Sequence, residues 1–265
     1  MSDWPSRLLM LGCGNMGGAM LDRWLAAGLP PERISVVNIS GIPPRAGIAT
    51  STEPPVTAPE VMVVAVKPQQ LAVATAALAA MTGAPRILVS ILAGVDLLTL
   101  KTRCPAGAVV RALPNLPVAL GQGVTLLHGD DAARVTANAL ATPLGLAEWM
   151  ADEDLFDAAT ALAGSGPGFT FRYIDALAAA GAALGLPEEQ AARLALATVA
   201  GSAALAAKAG VSPAELADRV ASKGGSTRAG LTVLDEREAL VELLTRTLAA
   251  ATARNAEMGA AARAL

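Results

Sequence analysis

The 265-residue sequence predicts an α/β chain: a doubly wound parallel sheet in the N-terminal part, then an all-α C-terminal part. Three observations lead there. A short apolar run, Leu8-Leu9-Met10-Leu11, passes straight into Gly12-Cys13-Gly14-Asn15-Met16-Gly17, after which Ala19, Met20, Leu21 and Trp24 recur at helical spacing. Apolar strand-like runs and helical stretches then alternate up to about Met150, the pattern of a parallel sheet wrapped by helices. From Asp154 onward no strand-like run remains, and helices are separated by glycine- and proline-bearing stretches such as Gly164-Ser165-Gly166-Pro167-Gly168 and Gly185-Leu186-Pro187.

The first stretch reads as strand, tight turn, helix. Gly12 permits the sharp bend, Gly14 lets the backbone approach a pyrophosphate, and Gly17 lets the helix pack closely on the strand. Free N–H groups at the positive end of that helix then face the anion. Alone the pattern is weak, since a glycine-rich turn can be only a turn; the strand before it and the helix after it make dinucleotide binding the better reading.

Composition narrows the class. Hydrophobic residues make up 53% of the chain and charged ones 16%, while only 3% are aromatic, which with the high alanine content points to close-packed helices. The most apolar stretch, Tyr173 to Leu186, carries Asp175 and is bounded by Arg172 and Glu188. It is too short and too interrupted to span a bilayer and reads as a buried helix or a subunit contact. The N-terminal residues lack the basic start and apolar run of a secretory signal, so the expected location is the cytoplasm. Cys13 and Cys104, the only cysteines, are too few for a disulfide framework or a thiolate metal site. A net charge of −3 gives no basic footprint for nucleic acid. The single histidine, His128, lies in Leu-His-Gly-Asp-Asp and reads as a surface loop residue, which argues against serine–histidine hydrolysis and against a histidine-rich metal site.

After the first helix, expected to end near Gly28-Leu29-Pro30-Pro31, Ile34 to Asn38 reads as the second strand. A carboxylate at its end would bond the ribose of NAD and repel the 2′-phosphate of NADP. Asn38, Ile39 and Ser40 stand there instead, with Arg45 further on, which favours NADP. The prolines between Gly41 and Pro59 leave no room for a crossover helix, so that connection is expected to be a loop. Val61 to Val66, apolar on both faces, reads as a central parallel strand that stops at Lys67-Pro68-Gln69-Gln70. Strand ends of this kind form a ligand crevice, which places Ala65, Val66, Lys67 and Pro68 beside the cofactor. Lys67 reads equally well as a solvated lysine at a strand end. A helix over 71–81 and a strand over 86–91 follow; the small residues of Leu92-Ala93-Gly94-Val95 suit a flat nicotinamide ring. After one more helix, Val109 to Pro117 reads as a strand running into a rigid turn, with further strands over 124–127 and 144–150. The expected domain division puts 1–151 in the nucleotide-binding part and 152–265 in the helical part.

In the helical part, Ser212-Pro213-Ala214-Glu215 is a capping box with proline at the first helical position. Ser222-Lys223-Gly224-Gly225-Ser226-Thr227 precedes the helical Arg228 to Leu234. Its backbone N–H groups suit an anionic carboxylate, and the Thr227 hydroxyl both donates and accepts. A helix cap and a ligand site fit this spacing equally well.

These motifs, taken in order, resemble the pyrroline-5-carboxylate reductase family. The matching stretches are GCGNMGGAM, AVKPQ at Ala65 to Gln69, SILAGV at Ser90 to Val95, RALPNLPVALGQG at Arg111 to Gly123, ALAGSGPGF at Ala161 to Phe169 and SKGGSTRAGLTVL at Ser222 to Leu234. The resemblance implies a Rossmann-type domain and a helical domain through which subunits interlock as homodimers or larger assemblies. It implies reduction of the cyclic imine (S)-1-pyrroline-5-carboxylate to L-proline by NADPH, with NADH as the alternative. Carried over by position, Gly12, Gly14, Asn15, Met16, Gly17, Asn38, Ala65, Val66, Lys67, Pro68 and Ala93 become cofactor contacts. Gly224, Gly225, Ser226 and Thr227 become the substrate site, Glu153 aligns with an acidic residue near it, and Thr227 donates to the imine nitrogen or positions its proton. No metal is implied.

The chain departs from the family pattern in three places. Lys223 stands where proline is usual and Ser226 where threonine or alanine is; Gly168-Phe169 replaces an alanine–tyrosine pair; and the 41–59 region is shortened and proline-rich. The rival readings are a related imine or β-hydroxyacid reductase and a non-catalytic NADPH-binding regulatory protein. The β-hydroxyacid reductases use a lysine on an interdomain helix, whereas Lys208 is expected near a helix end and Lys223 in a loop.

Overall fold

Strand β1 (Leu8–Leu11) is buried at every position, because each of its faces is covered by a separate apolar layer. The computed structural model describes residues 4–263. Around β1 the sheet adds β2 (Ile34–Val37), β3 (Ala49–Ser51), β4 (Val61–Val64), β5 (Ile87–Ser90), β6 (Ala108–Pro114), β7 (Gly123–Gly129) and β8 (Gly145–Trp149), in the order β3-β2-β1-β4-β5-β6-β7-β8. Strand β1 pairs in parallel with both β2 and β4, so the order reverses at β1. That reversal opens a crevice at the carboxyl ends of β1 and β4.

Side-chain alternation divides the sheet residues between two cores. Leu8 and Met10 join Val36, Val63 and the helices α1 (Asn15–Ala26) and α4 (Arg134–Ala141) on one face. Leu9 and Leu11 join Met62, Val64, Leu88 and the helices α2 (Leu71–Ala79) and α3 (Leu97–Arg103) on the other. Trp24 of α1 is fully buried and satisfies its indole N–H on the Leu140 carbonyl at 2.7 Å, which ties α1 to α4.

The sheet is parallel only through β6. Strand β7 runs antiparallel to β6, and β8 runs parallel to β7. The short 115–122 connection, a single 3₁₀ turn over Leu116–Leu120, has no room for the crossover helix that a parallel partner needs, so the chain doubles back. The sheet is thus the expected doubly wound, mostly parallel one, with the β6–β7 pair as its antiparallel step. The 41–59 connection forms no helix, as its prolines dictate, but contains the edge strand β3 paired with β2 through Ser35–Val37, where only a loop was expected. Strand β4 ends at Val64 rather than Val66, which leaves Ala65 and Val66 in the turn beyond it. His128 is a half-buried residue of β7, opposite Arg111, with Nδ1 2.9 Å from the Met150 carbonyl oxygen; the surface-loop expectation is corrected.

Packing separates two units: the chain up to Ser165 together with the segment from Ala250 onward, and Gly166–Ala249. The packing boundary therefore differs from the expected division at 151/152. The short helix α5 (Phe156–Ala159) and a π turn over Thr160–Gly164 stay with the sheet, because Phe156 is fully buried there. The second unit holds α6 (Gly166–Ala183), α7 (Glu188–Ala206), α8 (Pro213–Val220), α9 (Ser226–Asp235) and the start of α10 (Ala239–Arg263), whose end returns to the first unit. Gly166, Pro167 and Gly168 form the first turn of α6 rather than a separator, leaving only Ser165 between it and the π turn. The Ser212 hydroxyl accepts the Glu215 N–H at 3.2 Å and caps α8.

Within the second unit the buried residues are Ala191, Ala195 and Ala221, whereas Phe171, Leu205, Val233 and Val241 are more than half exposed. Among the described residues, no helix is long and apolar enough to cross a membrane.

Candidate active site

The glycine turn is built by what touches it. Gly12 has φ +83°, and a Cβ there would lie 2.8 Å from both the Ala65 carbonyl oxygen and Val66 Cγ1. Only glycine tolerates both the backbone angle and the contact. Its N–H donates to the Val37 carbonyl at 2.8 Å, while Ala65 N–H donates to the Leu11 carbonyl at 2.8 Å, so the ends of β1, β2 and β4 are stitched together at the crevice. A Cβ on Gly17 would lie 3.4 Å from Ala65 Cβ and Met10 Sδ, the close helix-on-strand approach expected of the third glycine.

Gly14 is the N-cap of α1, no side chain caps that helix, and nothing lies within 4 Å of where its Cβ would be. The first N–H groups of α1, at Asn15 and Met16, thus have no side-chain cap and follow an uncrowded Gly14, a cradle that fits the pyrophosphate of a dinucleotide. Cys13 lies between these glycines; burial pushes its thiol above the ordinary range, with Arg45 opposing and Asp22 reinforcing the rise. Arg45 reaches back to Asp22 of α1 in a two-pronged contact, Nε to Oδ1 at 2.5 Å and Nη2 to Oδ2 at 2.6 Å.

Asn38 is committed locally. Its Oδ1 accepts from Ser40 N–H at 3.1 Å, Ser40 Oγ at 2.9 Å and Gly41 N–H at 2.7 Å, and its Nδ2 donates to the Ile42 carbonyl at 3.0 Å. The side chain thus folds its own turn, leaving no acidic group at the end of β2. Lys67 is exposed and precedes a 3₁₀ turn over Pro68–Gln70, held by the Lys67 N–H on Gln70 Oε1 at 3.2 Å.

Ala93 stands in the turn after β5, where Gly94 has φ +77°. The end of α10 packs against this turn, and Pro68, Ala93, Arg254, Glu257 and Met258 line a cleft of about 270 Å³. Asp96 caps α3 by accepting the Thr99 N–H at 2.7 Å and pairs with Arg263 of α10 at 3.0 Å. Burial pushes the Asp96 carboxyl upward, but the Thr99 hydrogen bonds and Arg263 outweigh it and hold the carboxyl below its usual range.

Glu153 Oε1 accepts from Leu97 N–H and from Arg111 Nη1, both at 2.9 Å. Arg111 is 6% exposed, its guanidinium lies 4.0 Å over the Phe156 ring, and Nη2 is 3.9 Å from Asp157 Oδ1. Arg111 escaped the sequence reading, although a charged residue inside Val109-Val110-Arg111-Ala112 was the available signal: a charge on a buried strand needs a partner.

In the second unit, Gly224 has φ +74°, and Gly225 is the N-cap of α9 with no side chain capping it. A Cβ on Gly225 would lie 2.6 Å from Ser222 Oγ, so the loop closes tightly at that point. Arg228 Nη2 donates to Asp218 Oδ1 at 2.8 Å and to the Ala221 carbonyl at 3.2 Å, fastening α9 to α8 across the loop. Ser226 and Thr227 are exposed. The structure thus gathers Gly12, Gly14, Gly17, Ala65 and Val66 at one turn and Gly224 to Thr227 at another, in different units. Among the described residues no group of three His, Cys, Asp or Glu side chains is placed to hold a metal ion.

A family model described as pyrroline-5-carboxylate reductase dimerisation matches residues 153–258, and one described as NADP oxidoreductase, coenzyme F420-dependent, matches residues 7–94. The chain is 36% identical to the pyrroline-5-carboxylate reductase of Pseudomonas aeruginosa, over 95% of this chain and 96% of that one. It is 34% identical to that of Arabidopsis thaliana, over 91% of each. A solved pyrroline-5-carboxylate reductase from Coxiella burnetii superimposes with a TM-score of 0.88 at 30% identity, covering 96% of this chain and 98% of that one. With the glycine turn at the sheet's reversal point and the ordered motifs of both halves, the chain belongs to the pyrroline-5-carboxylate reductase family.

Proposed function

We propose that this chain reduces (S)-1-pyrroline-5-carboxylate to L-proline, with NADPH as the preferred donor and NADH as the alternative. The observation that carries the reading is the open cradle at Gly14, set at the β1/β4 reversal by the Gly12 contact with Ala65 and Val66. Bound there, the reduced nicotinamide supplies a hydride for the imine carbon. The chain's own work is to bind, orient and handle a proton. The N–H groups of Asn15 and Met16 hold the pyrophosphate, and the turn at Ala93 with the strand end at Ala65 to Pro68 borders the ring. The Gly224 to Thr227 backbone takes the substrate carboxylate, and the Thr227 hydroxyl donates to the imine nitrogen; its exposure and the lack of a side-chain cap on α9 leave it available.

The absence of an acid at the end of β2, together with Arg45 beside α1, supports NADPH over NADH. The sparse burial of the second unit supports assembly into a homodimer or larger homo-oligomer through the C-terminal helices, since large apolar side chains there lack intrachain cover. The free thiols of Cys13 and Cys104 are in keeping with the reducing cytoplasm as the location.

The test is the loss of reduced-nicotinamide absorbance when purified protein meets pyrroline-5-carboxylate with NADPH or NADH in parallel, with proline identified as product. Folded protein that binds NADPH but oxidises none of it overturns the reading.

A further inference from the structure

Glu153, Asp96 and Gly94 are the attachment points of one clamp. The turn that carries Ala93 leaves β5 at Ser90, whose buried hydroxyl accepts the Leu92 N–H at 3.3 Å, and it enters α3 at Leu97. Between those ends the chain is held from outside at three successive places. A Cβ on Gly94 would lie 3.3 Å from the Gly259 nitrogen, Asp96 is paired with Arg263, and Leu97 N–H is held by Glu153. Glu153 in turn answers the buried Arg111 of β6. On the same side, Asn255 Nδ2 donates to the Asp157 carbonyl at 3.1 Å, joining the end of α10 to α5.

Glu153 is poorly free to leave this arrangement. Turning its carboxylate toward a substrate would leave a buried guanidinium with the Phe156 ring and the distant Asp157 oxygen at 3.9 Å, a buried charge without a close anionic partner. Held as it is, it fixes the backbone of the turn. A turn with a glycine at positive φ has several accessible conformations unless its neighbours select one.

We infer that Glu153 is a positioning residue rather than a substrate contact: with Arg111 behind it and Arg263 on Asp96, it fixes the turn at Ala93 against which the nicotinamide ring is oriented. This rests on the proposed cofactor site. Its use is geometric, because hydride transfer is sensitive to small displacements of the donor face.

The experiment compares Glu153→Gln, Glu153→Ala and Arg263→Met by three readouts. These are amide exchange at Leu97 in the cofactor-free protein, the NADPH dissociation constant, and the primary isotope effect on kcat with NADPH deuterated at the transferred position. Glu153→Ala is expected to speed Leu97 exchange and weaken NADPH about tenfold and to raise the isotope effect, while the KM for the imine stays within about twofold. Glu153→Gln, which keeps an oxygen for the Leu97 N–H, recovers most of the exchange protection. Arg263→Met alters a pair whose arginine side is exposed, folds irrespective of Glu153, and shifts the same readouts in the same direction by a smaller factor.

A raised imine KM with unchanged NADPH affinity and Leu97 exchange makes Glu153 a substrate contact and overturns the inference. So does a lower melting temperature with all three readouts unmoved, which describes a merely structural pair. If the parent protein turns nothing over yet the variants still loosen NADPH and Leu97, the clamp stands and the proposed reaction fails.

Discussion

Gly94 and Gly259 meet backbone to backbone: a Cβ on Gly259 would lie 3.2 Å from the Gly94 carbonyl oxygen. The end of α10 thereby reaches the turn at Ala93 with no side chain between them. Two effects oppose one another in Gly259→Ala. A helical glycine replaced by alanine gains about 1 kcal/mol of helix propensity, while the new methyl crowds a backbone oxygen that has to retreat by a few tenths of an ångström. The expected result is a nearly unchanged melting temperature with a severalfold weaker NADPH. Gly94→Ala has no such offset, because its positive φ adds about 1–2 kcal/mol of strain, and urea unfolding should show that loss.

The Asp22–Arg45 pair is 46% exposed on each side, so breaking it costs under about 1 kcal/mol. A 2′-phosphate near the end of β2 can therefore draw Arg45 away from Asp22 cheaply. Arg45→Ala should lower kcat/KM for NADPH about tenfold and for NADH by no more than about twofold, with stability within about 0.5 kcal/mol. Asp22→Asn should shift the ratio further toward NADPH, since the competing carboxylate is gone. Parallel kinetics with both donors measures the ratio, and an unchanged ratio in Arg45→Ala removes Arg45 from cofactor selection.

Thr227 is the proposed donor to the imine nitrogen. A protonated iminium is already electrophilic, so the hydroxyl is asked for less than a full general acid would supply. Thr227→Ala should lower turnover at saturating substrate by about 10- to 100-fold, and Thr227→Ser should retain most of it. Turnover of the alanine variant within about twofold of the parent would exclude the hydroxyl from the chemistry.

The glycine turn was legible because three constraints fall within six positions, and the neighbours of Gly12 and Gly17, Ala65, Val66 and Met10, belong to or directly follow equally recognisable strands. Other features left no such trace. Strand β7 has the same apolar alternation whether it runs up or down, so its reversal depends on the length of the 115–122 connection rather than on any residue pattern. Ala49–Ser51 is a short edge segment exposed at Ala49 and Ser51, without the apolar rhythm that marks a strand. The return of α10 to the sheet rests on Gly259 and Ala262, which look like any other small residues of an alanine-rich helix until their burial is seen. Glu153 was found by resemblance alone, and its geometry points to Arg111 and Leu97 rather than outward.

Acid should loosen the clamp from the Asp96 side. Burial alone would raise this carboxyl, but the hydrogen bonds from Thr99 and the Arg263 guanidinium prevail and lower it. A carboxyl depressed in the folded state adds stability that is present above its unfolded value, about 4, and is lost as the pH falls through the lower folded value. Below that window the α3 cap and the Arg263 pair weaken together. Glu60, lowered by its hydrogen bonds from Ser6, and Asp130, where Lys101 and the Val109 N–H overcome burial, lose their contributions over a similar range, so global acid stability cannot isolate Asp96. Local amide exchange can. Once corrected for intrinsic rates, protection at Thr99 should fall with pH in the parent protein. In Asp96→Asn, which still caps the helix but cannot titrate, it should be lower at neutral pH and much flatter as the pH falls. Equal slopes in the two proteins would show that the acid response originates elsewhere and that Asp96 does not hold the turn through its charge.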